Sequence, residues 1–406
     1  MLRPICQAAR RRAPTAENAL RICTPHCGVA PETTSGGETY ERELLVRLGR
    51  SGVRLEVILA RGGRHPEDVP NWTVHRFGIG RGLRWWLAPA VVPPAIKRVW
   101  DTAPFDLLRV HSLRFIGPSA LWARRRFGLD VPVVAHHHHL DPSSLNRMIE
   151  RRVVEGVDRV VVGSEFARRQ LSDELGCRTD HVAVVPYGVD ERFAPRPRRA
   201  DLLARYGLHG ATVVLFFGGL KPRKNLLVLL DVFARVASTA PAARLVIAGG
   251  GPLRAKLERR AGQLGLDSRV LFTGYVPEAE KVDHFNLADV FVFPSTMEGF
   301  GLAVGEAMSC GLPVVASDRG SIPEVLVDGQ GGFLADPAAP ERFAERISRL
   351  LADAGLRAAL GRANRARVDA RFRWDRCVTG TAAVYEETLA KWRRPPAIGT
   401  MTRPRR

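Results

Sequence analysis

The chain has 406 residues, 45% hydrophobic and 25% charged, a globular composition too long for one ordinary core and suited to two or three domains. The formal net charge of +19 points first to an anionic partner, but both halves share the excess: 28 Lys and Arg against 20 Asp and Glu over residues 1–190, and 33 against 22 over 191–406. Only six of the 61 basic residues are lysine, which is an arginine bias rather than a binding stripe, so nucleic acid is not expected as a partner.

Residues 1–20 have no apolar stretch of signal-peptide length behind their basic residues and read as a disordered basic tail. Six cysteines without a C-x-x-C pair fit a reducing compartment, hence a cytoplasmic location. Apolar, β-branched runs then alternate with amphipathic stretches, the rhythm of parallel strands covered by helices. Strands are expected at 20–24, 54–59, 106–110, 131–136, 159–162 and 181–185, making a first domain over 21–195. A proline-rich linker over 196–207 follows. Strands at 212–217, 244–248, 270–273, 290–293, 313–316 and 332–334 make a second domain over 208–375.

In the first half, strand 20–24 leads into Ser35-Gly36-Gly37-Glu38, a loop whose glycines let the backbone approach a ligand, before a helix over 40–48. The longest uncharged apolar run, 85–96, holds three prolines and is too short to span a bilayer. Its Trp85-Trp86 pair, beside Arg81 and Arg84, reads as a cover for an acceptor, as a peripheral contact with an anionic membrane on its inner face, or as core. Four consecutive histidines, His136 to His139, close strand 131–136. Side chains alternate along a strand and no carboxylate or cysteine is grouped with these, so their spacing is not that of metal ligands. A histidine there suits hydrogen bonding to a polyol, or stabilisation of a developing cation.

In the second half, strand 212–217 runs into Gly218-Gly219-Leu-Lys221-Pro-Arg223-Lys224-Asn225, before a helix near Leu226. Three cations beside a helix start repel one another unless an anion sits among them, so a bound diphosphate is expected, with Lys224 and Arg223 ahead of Lys221. Gly249-Gly250-Gly251-Pro252 lines the same crevice. The most informative run is Glu298-Gly-Phe300-Gly301-Leu302-Ala-Val-Gly-Glu306. A strand breaking at Pro294 and resuming as a helix near Gly301 leaves N–H groups for a phosphate. Glu306 then lies one turn further on, in reach of ribose hydroxyls, and Glu298 nearer the reacting group. No Asp-x-Asp occurs to hold a divalent ion on a diphosphate, so no metal or other cofactor is expected. A final helix over 375–392, with Val378, Ala382, Tyr385, Leu389 and Trp392 on one face, is expected to pack its 376–392 part back on the first domain. Residues 393–406 read as a disordered tail.

Together these residues resemble the family-4 retaining glycosyltransferases of the GT-B superfamily. The resemblance runs from about Arg21 to Trp392. It rests on Gly36-Gly37, Val160-Val-Val-Gly-Ser164-Glu-Phe166, Pro186-Tyr-Gly-Val-Asp190, the basic loop, Gly249-Gly-Gly-Pro252, the two glutamates of the 298–306 run, and Ile322-Pro-Glu-Val with Asp328-Gly329. It implies an α/β fold of two Rossmann-like, doubly wound domains facing across a cleft. The second would bind a nucleotide-diphospho-sugar, UDP- or GDP-linked, and the first a glycan, lipid-linked or small-molecule acceptor, with Gly36, Gly37, His139 and Ser164 in the cleft loops. By position, Glu306 would bond the donor ribose, Glu298 a sugar hydroxyl, Lys224 the diphosphate, and the backbone of Phe300, Gly301 and Leu302 the phosphates. Gly218, Gly219 and Gly250 complete the donor set.

Two departures from the family pattern stand out. The usual Gly-Arg pair reads Gly218-Gly219, so Arg223 is expected to supply the missing cation. Tyr187 stands where asparagine is common. His138, six residues after Pro132, has the spacing of the family's active-site histidine, with His139 the alternative. The implied reaction retains anomeric configuration. No enzymic nucleophile is evident, so a front-face route is expected in which Lys224 and Arg223 stabilise the leaving diphosphate. The alternatives are another GT-B activity, such as a sugar-nucleotide epimerase or a phosphorylase, or a basic nucleic-acid-binding protein.

Overall fold

The computed structural model describes residues 19–31, 36–78, 88–138, 140 and 144–393. Residues 1–18 and 394–406 of the two expected tails, Ser35, the Trp85-Trp86 pair and His139 lie outside the described residues.

Runs such as TVVLFF and VFVF, buried almost throughout, form strands covered on both faces. The first half comprises β1 (Arg21–Pro25), α1 (Gly36–Arg50), β2 (Arg54–Ala60), β3 (Trp72–Phe77), α2 (Ala88–Thr102), β4 (Leu107–Val110), α3 (Ile116–Phe127), β5 (Val133–His137), α4 (Ser144–Gly156), β6 (Arg159–Val162), α5 (Glu165–Asp173) and β7 (Val182–Val184). The second comprises α6 (Ala200–Tyr206), β8 (Thr212–Phe217), α7 (Leu226–Thr239), β9 (Ala243–Ala248), α8 (Arg254–Gln263), β10 (Val270–Gly274), α9 (Lys281–Asn286), β11 (Val290–Phe293), α10 (Leu302–Ser309), β12 (Val314–Ser317), α11 (Ile322–Val325), β13 (Gly332–Ala335), α12 (Pro340–Ala352), α13 (Ala354–Arg371) and α14 (Trp374–Trp392).

Both sheets are parallel, with strand orders β3-β2-β1-β4-β5-β6-β7 and β10-β9-β8-β11-β12-β13. Each is doubly wound, and each reverses direction once, between β1 and β4 and between β8 and β11. Ligands of such sheets bind beyond the carboxyl ends of the strands at that reversal. There the two units meet. A Cβ on Gly299, in the loop after β11, would lie 2.1 Å from the His138 carbonyl oxygen beyond β5. The Ser164 hydroxyl donates to the Gly299 carbonyl at 2.8 Å, and the Glu324 carboxylate accepts from the N–H groups of Glu165 and Phe166 at 2.8 and 2.6 Å, closing the start of α5 from across the cleft.

Three sequence expectations need correction. Strand β3 was not anticipated, because an edge strand with a half-exposed, polar WTVHRF pattern lacks the apolar run of the inner strands. Gly36 and Gly37 are the first residues of α1 rather than part of a preceding loop, with Glu38 in the acidic first turn that a helix dipole favours. The expected linker over 196–207 contains a helix, α6, fixed by fully buried Leu202 and ended by Gly207 at φ +61°. Helix α14 lies against α1, and the Tyr40 hydroxyl sits 3.8 Å from Cys377 Sγ. From Ala88 onward the apolar run 85–96 is helical, with Ala88, Val92, Pro93, Ala95 and Ile96 buried.

Candidate active site

The second unit's side of the cleft is built from three loops at the β8–β11 reversal. After β8 the chain is held to the neighbouring glycine loop by Gly218 N–H to Ala248 O and Leu220 N–H to Gly250 O, both 2.9 Å. Gly249 adopts φ +133°, and a Cβ there would fall 2.1 Å from the Gly218 carbonyl oxygen, so no other residue fits. A Cβ on Gly250 would meet nothing within 4 Å. A single 3₁₀ turn over Pro222–Lys224, stopped by Asn225 at φ +56°, aims Arg223 and Lys224 at the loop beyond β11.

There Glu298 Oε1 accepts from Lys224 Nζ at 2.5 Å, Arg223 Nη1 at 2.5 Å and Ser295 Oγ at 2.6 Å. Lys224 and Glu298 are both buried, and the ammonium lies 4.4 Å from the centre of the Phe293 ring. Burial pushes the Glu298 carboxyl up, but the Lys224 and Arg223 charges outweigh it and hold the group below its ordinary value. Burial pulls Lys224 down, and Glu298 partly restores it. Glu298 thus shares one cluster with these two cations. Lys221 is exposed.

Beyond Glu298, Gly301 takes φ +88° and starts α10; a Cβ there would meet Ile322 Cδ1 at 2.6 Å. The first bonds of α10 run from the Val304 and Gly305 N–H groups to the Gly301 carbonyl, so those of Leu302 and Ala303 have no acceptor within the helix. Phe300 is buried, its ring 4.9 Å from that of Tyr187. One turn into α10, buried Glu306 accepts from Lys281 Nζ at 2.6 Å. Burial raises its carboxyl above the ordinary value despite Lys281.

On the first unit's side, a Cβ on Gly36 would lie 3.8 Å from Leu302 Cδ1 and one on Gly37 3.7 Å from His138 Cδ2, so the starts of α1 and α10 face each other. His138 is held at both ring nitrogens, by the Tyr187 hydroxyl at Nδ1 and by Glu41 Oε1 at Nε2, 3.0 Å away. Neither nitrogen is left for the polyol contact expected of it. Glu41 is completely buried. Its Oε2 lies 2.7 Å from Arg109 Nη2 and 3.4 Å from His26 Nε2. Burial raises the Glu41 carboxyl, but Arg109, His138 and His26 together hold it well below its ordinary value, so it only accepts hydrogen bonds. Arg109 Nε donates to the Tyr385 hydroxyl of α14 at 2.9 Å, and that hydroxyl bonds His136 Nε2 at 2.7 Å.

Sequence reasoning missed Glu41, Arg109, Tyr385 and Lys281 as members of the site. Only Tyr187 carried a signal, as a departure from the family pattern; the others are single polar residues inside otherwise ordinary elements.

Among the described residues, His26, Glu41 and His111 gather within ligand distance of one another. Their hydrogen bonds oppose a metal. His26 Nδ1 accepts from Gly28 N–H at 3.1 Å and His111 Nε2 from Cys27 N–H at 3.3 Å, so in each neutral ring the other nitrogen carries the proton, and in His26 that is Nε2, the one facing Glu41. Burial holds both rings neutral, and the Arg109 guanidinium repels a dication.

The profile described as "Glycosyltransferase Family 4" matches residues 34–193, and that described as "Glycosyl transferases group 1" matches 202–367. A D-inositol 3-phosphate glycosyltransferase of Acidothermus cellulolyticus is 38% identical, aligned over 95% of this chain and 92% of its own. The chain belongs to the family-4 glycosyltransferases. A GDP-mannose-dependent alpha-(1-6)-phosphatidylinositol monomannoside mannosyltransferase of Mycobacterium tuberculosis is 34% identical to the transferase, over 69% of this chain and 73% of the relative. Among solved structures, sucrose-phosphate synthase of Thermosynechococcus elongatus superposes with a TM-score of 0.79 at 22% identity, over 92% of this chain and all of the other. Anabaena HepE in complex with UDP-glucose gives 0.74 at 22%, with the same coverage. The transferase therefore has the GT-B fold. Among its described residues no helix is long and apolar enough to cross a membrane.

Proposed function

We propose that the enzyme transfers a hexose from a nucleotide-diphospho-sugar to an inositol phosphate, free or lipid-linked, with retention of anomeric configuration and without a metal. The observation that carries this reading is the Arg223–Lys224–Glu298 cluster, 2.5 Å across each ion pair and beside the start of α10, where the Leu302 and Ala303 N–H groups have no acceptor within the helix. A diphosphate entering there takes over the two cations now held by Glu298 and is capped by the helix start. As the glycosidic bond breaks, charge builds on the leaving diphosphate, where Lys224 and Arg223 stabilise it more than in the bound donor. The diphosphate oxygen is then the base that receives the acceptor's proton on the same face of the sugar. Freed of these two cations, Glu298 is available to accept a sugar hydroxyl.

The acceptor class is drawn from the two relatives described above, one a D-inositol 3-phosphate glycosyltransferase and the other a phosphatidylinositol monomannoside mannosyltransferase. The test is turnover of a panel of UDP- and GDP-sugars with D-inositol 3-phosphate, after screening each donor for thermal stabilisation of the enzyme. One donor series should stabilise and turn over, in excess chelator, to a product whose NMR coupling shows the donor's anomeric configuration. An inverted product removes the front-face route, and activity lost in chelator and restored by Mn²⁺ or Mg²⁺ removes the metal-free one. Failure of every UDP- and GDP-sugar to bind overturns the donor reading.

A further inference from the structure

Lys281, at the start of α9, stands directly beside a donor-site carboxylate. Its ammonium lies 2.6 Å from Glu306 Oε1, and the two side chains are only 14% and 11% exposed. It also lies 5.2 Å from the centre of the Phe193 ring and 5.6 Å from that of Phe217, at the carboxyl end of β8. Surface lysines move freely and their ion pairs add little. An ammonium enclosed by two rings and one carboxylate has no such freedom, and here it fixes the carboxylate in turn.

The other groups around Glu306 do not replace it. Glu278, from the turn after β10, and Arg192, from the segment joining the units, form an ion pair with each other. Cys310, just past the end of α10, has its thiol pushed up to about 12, first by burial and then by Glu306. Arg365 of α13 is directed to the carbonyls of Phe193 and Ser309 at 2.8 Å.

We propose that Lys281 is a positioning residue for donor recognition: by holding Oε1 it keeps Glu306 ionised and turned so that Oε2 accepts the ribose hydroxyls. This rests on reading Glu306 as the ribose acceptor. Burial already raises the carboxyl, with Lys281 as the main opposing charge. Without the ammonium, Glu306 takes up a proton at higher pH and loses the charge that strengthens its hydrogen bonds. Donor affinity then falls with decreasing pH, and starts to fall earlier than in the parent enzyme.

The experiment measures Kd for UDP-glucose and GDP-mannose by calorimetry between pH 5.5 and 8.5, a range in which their diphosphate diesters do not titrate. The variants are K281M, K281R and E306A, with K281Q in place of K281M should the latter fail to fold. K281M should bind the preferred probe roughly tenfold more weakly at pH 6 and approach the parent at pH 8.5, since one unit of pKa shift is a factor of ten. K281R should restore the parent profile, and E306A should bind more weakly at every pH. A K281M deficit that does not change with pH, or that K281R does not rescue, overturns the role given to Lys281. Normal donor binding by E306A overturns the ribose reading instead.

Discussion

On the second unit's side of the cleft, Ser295, Glu298 and Gly301 lie within one loop, and Arg223 and Lys224 are adjacent on another. The facing wall draws Glu41, Arg109, His138, Tyr187 and Tyr385 from positions 41 to 385, from the first half of the chain and the last helix. The second unit's side is therefore set by local backbone geometry: a 3₁₀ turn, Gly249 and Gly301 at positive φ, and a helix start. The opposite wall is set by the fold of the first unit, which brings Glu41 against Arg109 and His138, and α14 then adds Tyr385 against Arg109 and His136. Its charges are also deeper. Arg109 and Glu41 are 0% and 1% exposed, whereas Arg223 is open to solvent. Damage to the first region should thus appear in rates, and damage to the second in folding.

The largest effect is expected from Glu41→Gln, which leaves the Arg109 guanidinium buried without its counter-charge. Breaking such a pair costs about 3–5 kcal/mol, to be read from urea unfolding. The variant should also change the acid limb of stability. Because Glu41 is depressed below 4.5 in the native state, its contribution is complete above about pH 4.5 and is lost as pH falls through the depressed value. The glutamine variant should therefore lose less of its remaining stability below pH 4.5. Next comes Lys224→Ala, for which kcat should fall by a factor on the order of 10² to 10³ while the melting temperature changes little, because Arg223 and Ser295 still satisfy Glu298. A normal kcat in a folded Lys224→Ala enzyme would remove this residue from the reaction. The smallest effect belongs to Tyr187→Phe, which takes one hydroxyl from His138 Nδ1 and should cost about 1 kcal/mol in unfolding. If Tyr187→Phe slowed turnover more than Lys224→Ala, the division between a rate-setting and a fold-setting wall would be wrong.

What the sequence disclosed follows the same division. Inner strands, the basic loop and the 298–306 run were readable because each is a contiguous pattern with its own physical reason. The Glu298 cluster was only half readable: its cations were recognised, but a partner 74 positions away in sequence leaves no local trace. Glu41 looks like any polar residue of an amphipathic helix, and only the fold turns it inward against Arg109 and His138. Strand β3 and helix α6 escaped for a different reason, since a half-exposed edge and a short helix after a proline-rich stretch carry too few apolar residues to set a period.

The ion cluster of Glu298 with Arg223 and Lys224 also bears on how a substrate arrives. With a carboxylate already between Arg223 and Lys224, this cluster carries only about one unit of net positive charge, although the chain as a whole carries +19. Long-range attraction of an anion into the pocket is correspondingly weak, and its capture there is an exchange of one negative group for another rather than a simple gain of charge. The encounter rate with a nucleotide-sugar should vary little with ionic strength, while the escape rate, which requires the carboxylate to return, should govern how long the donor stays.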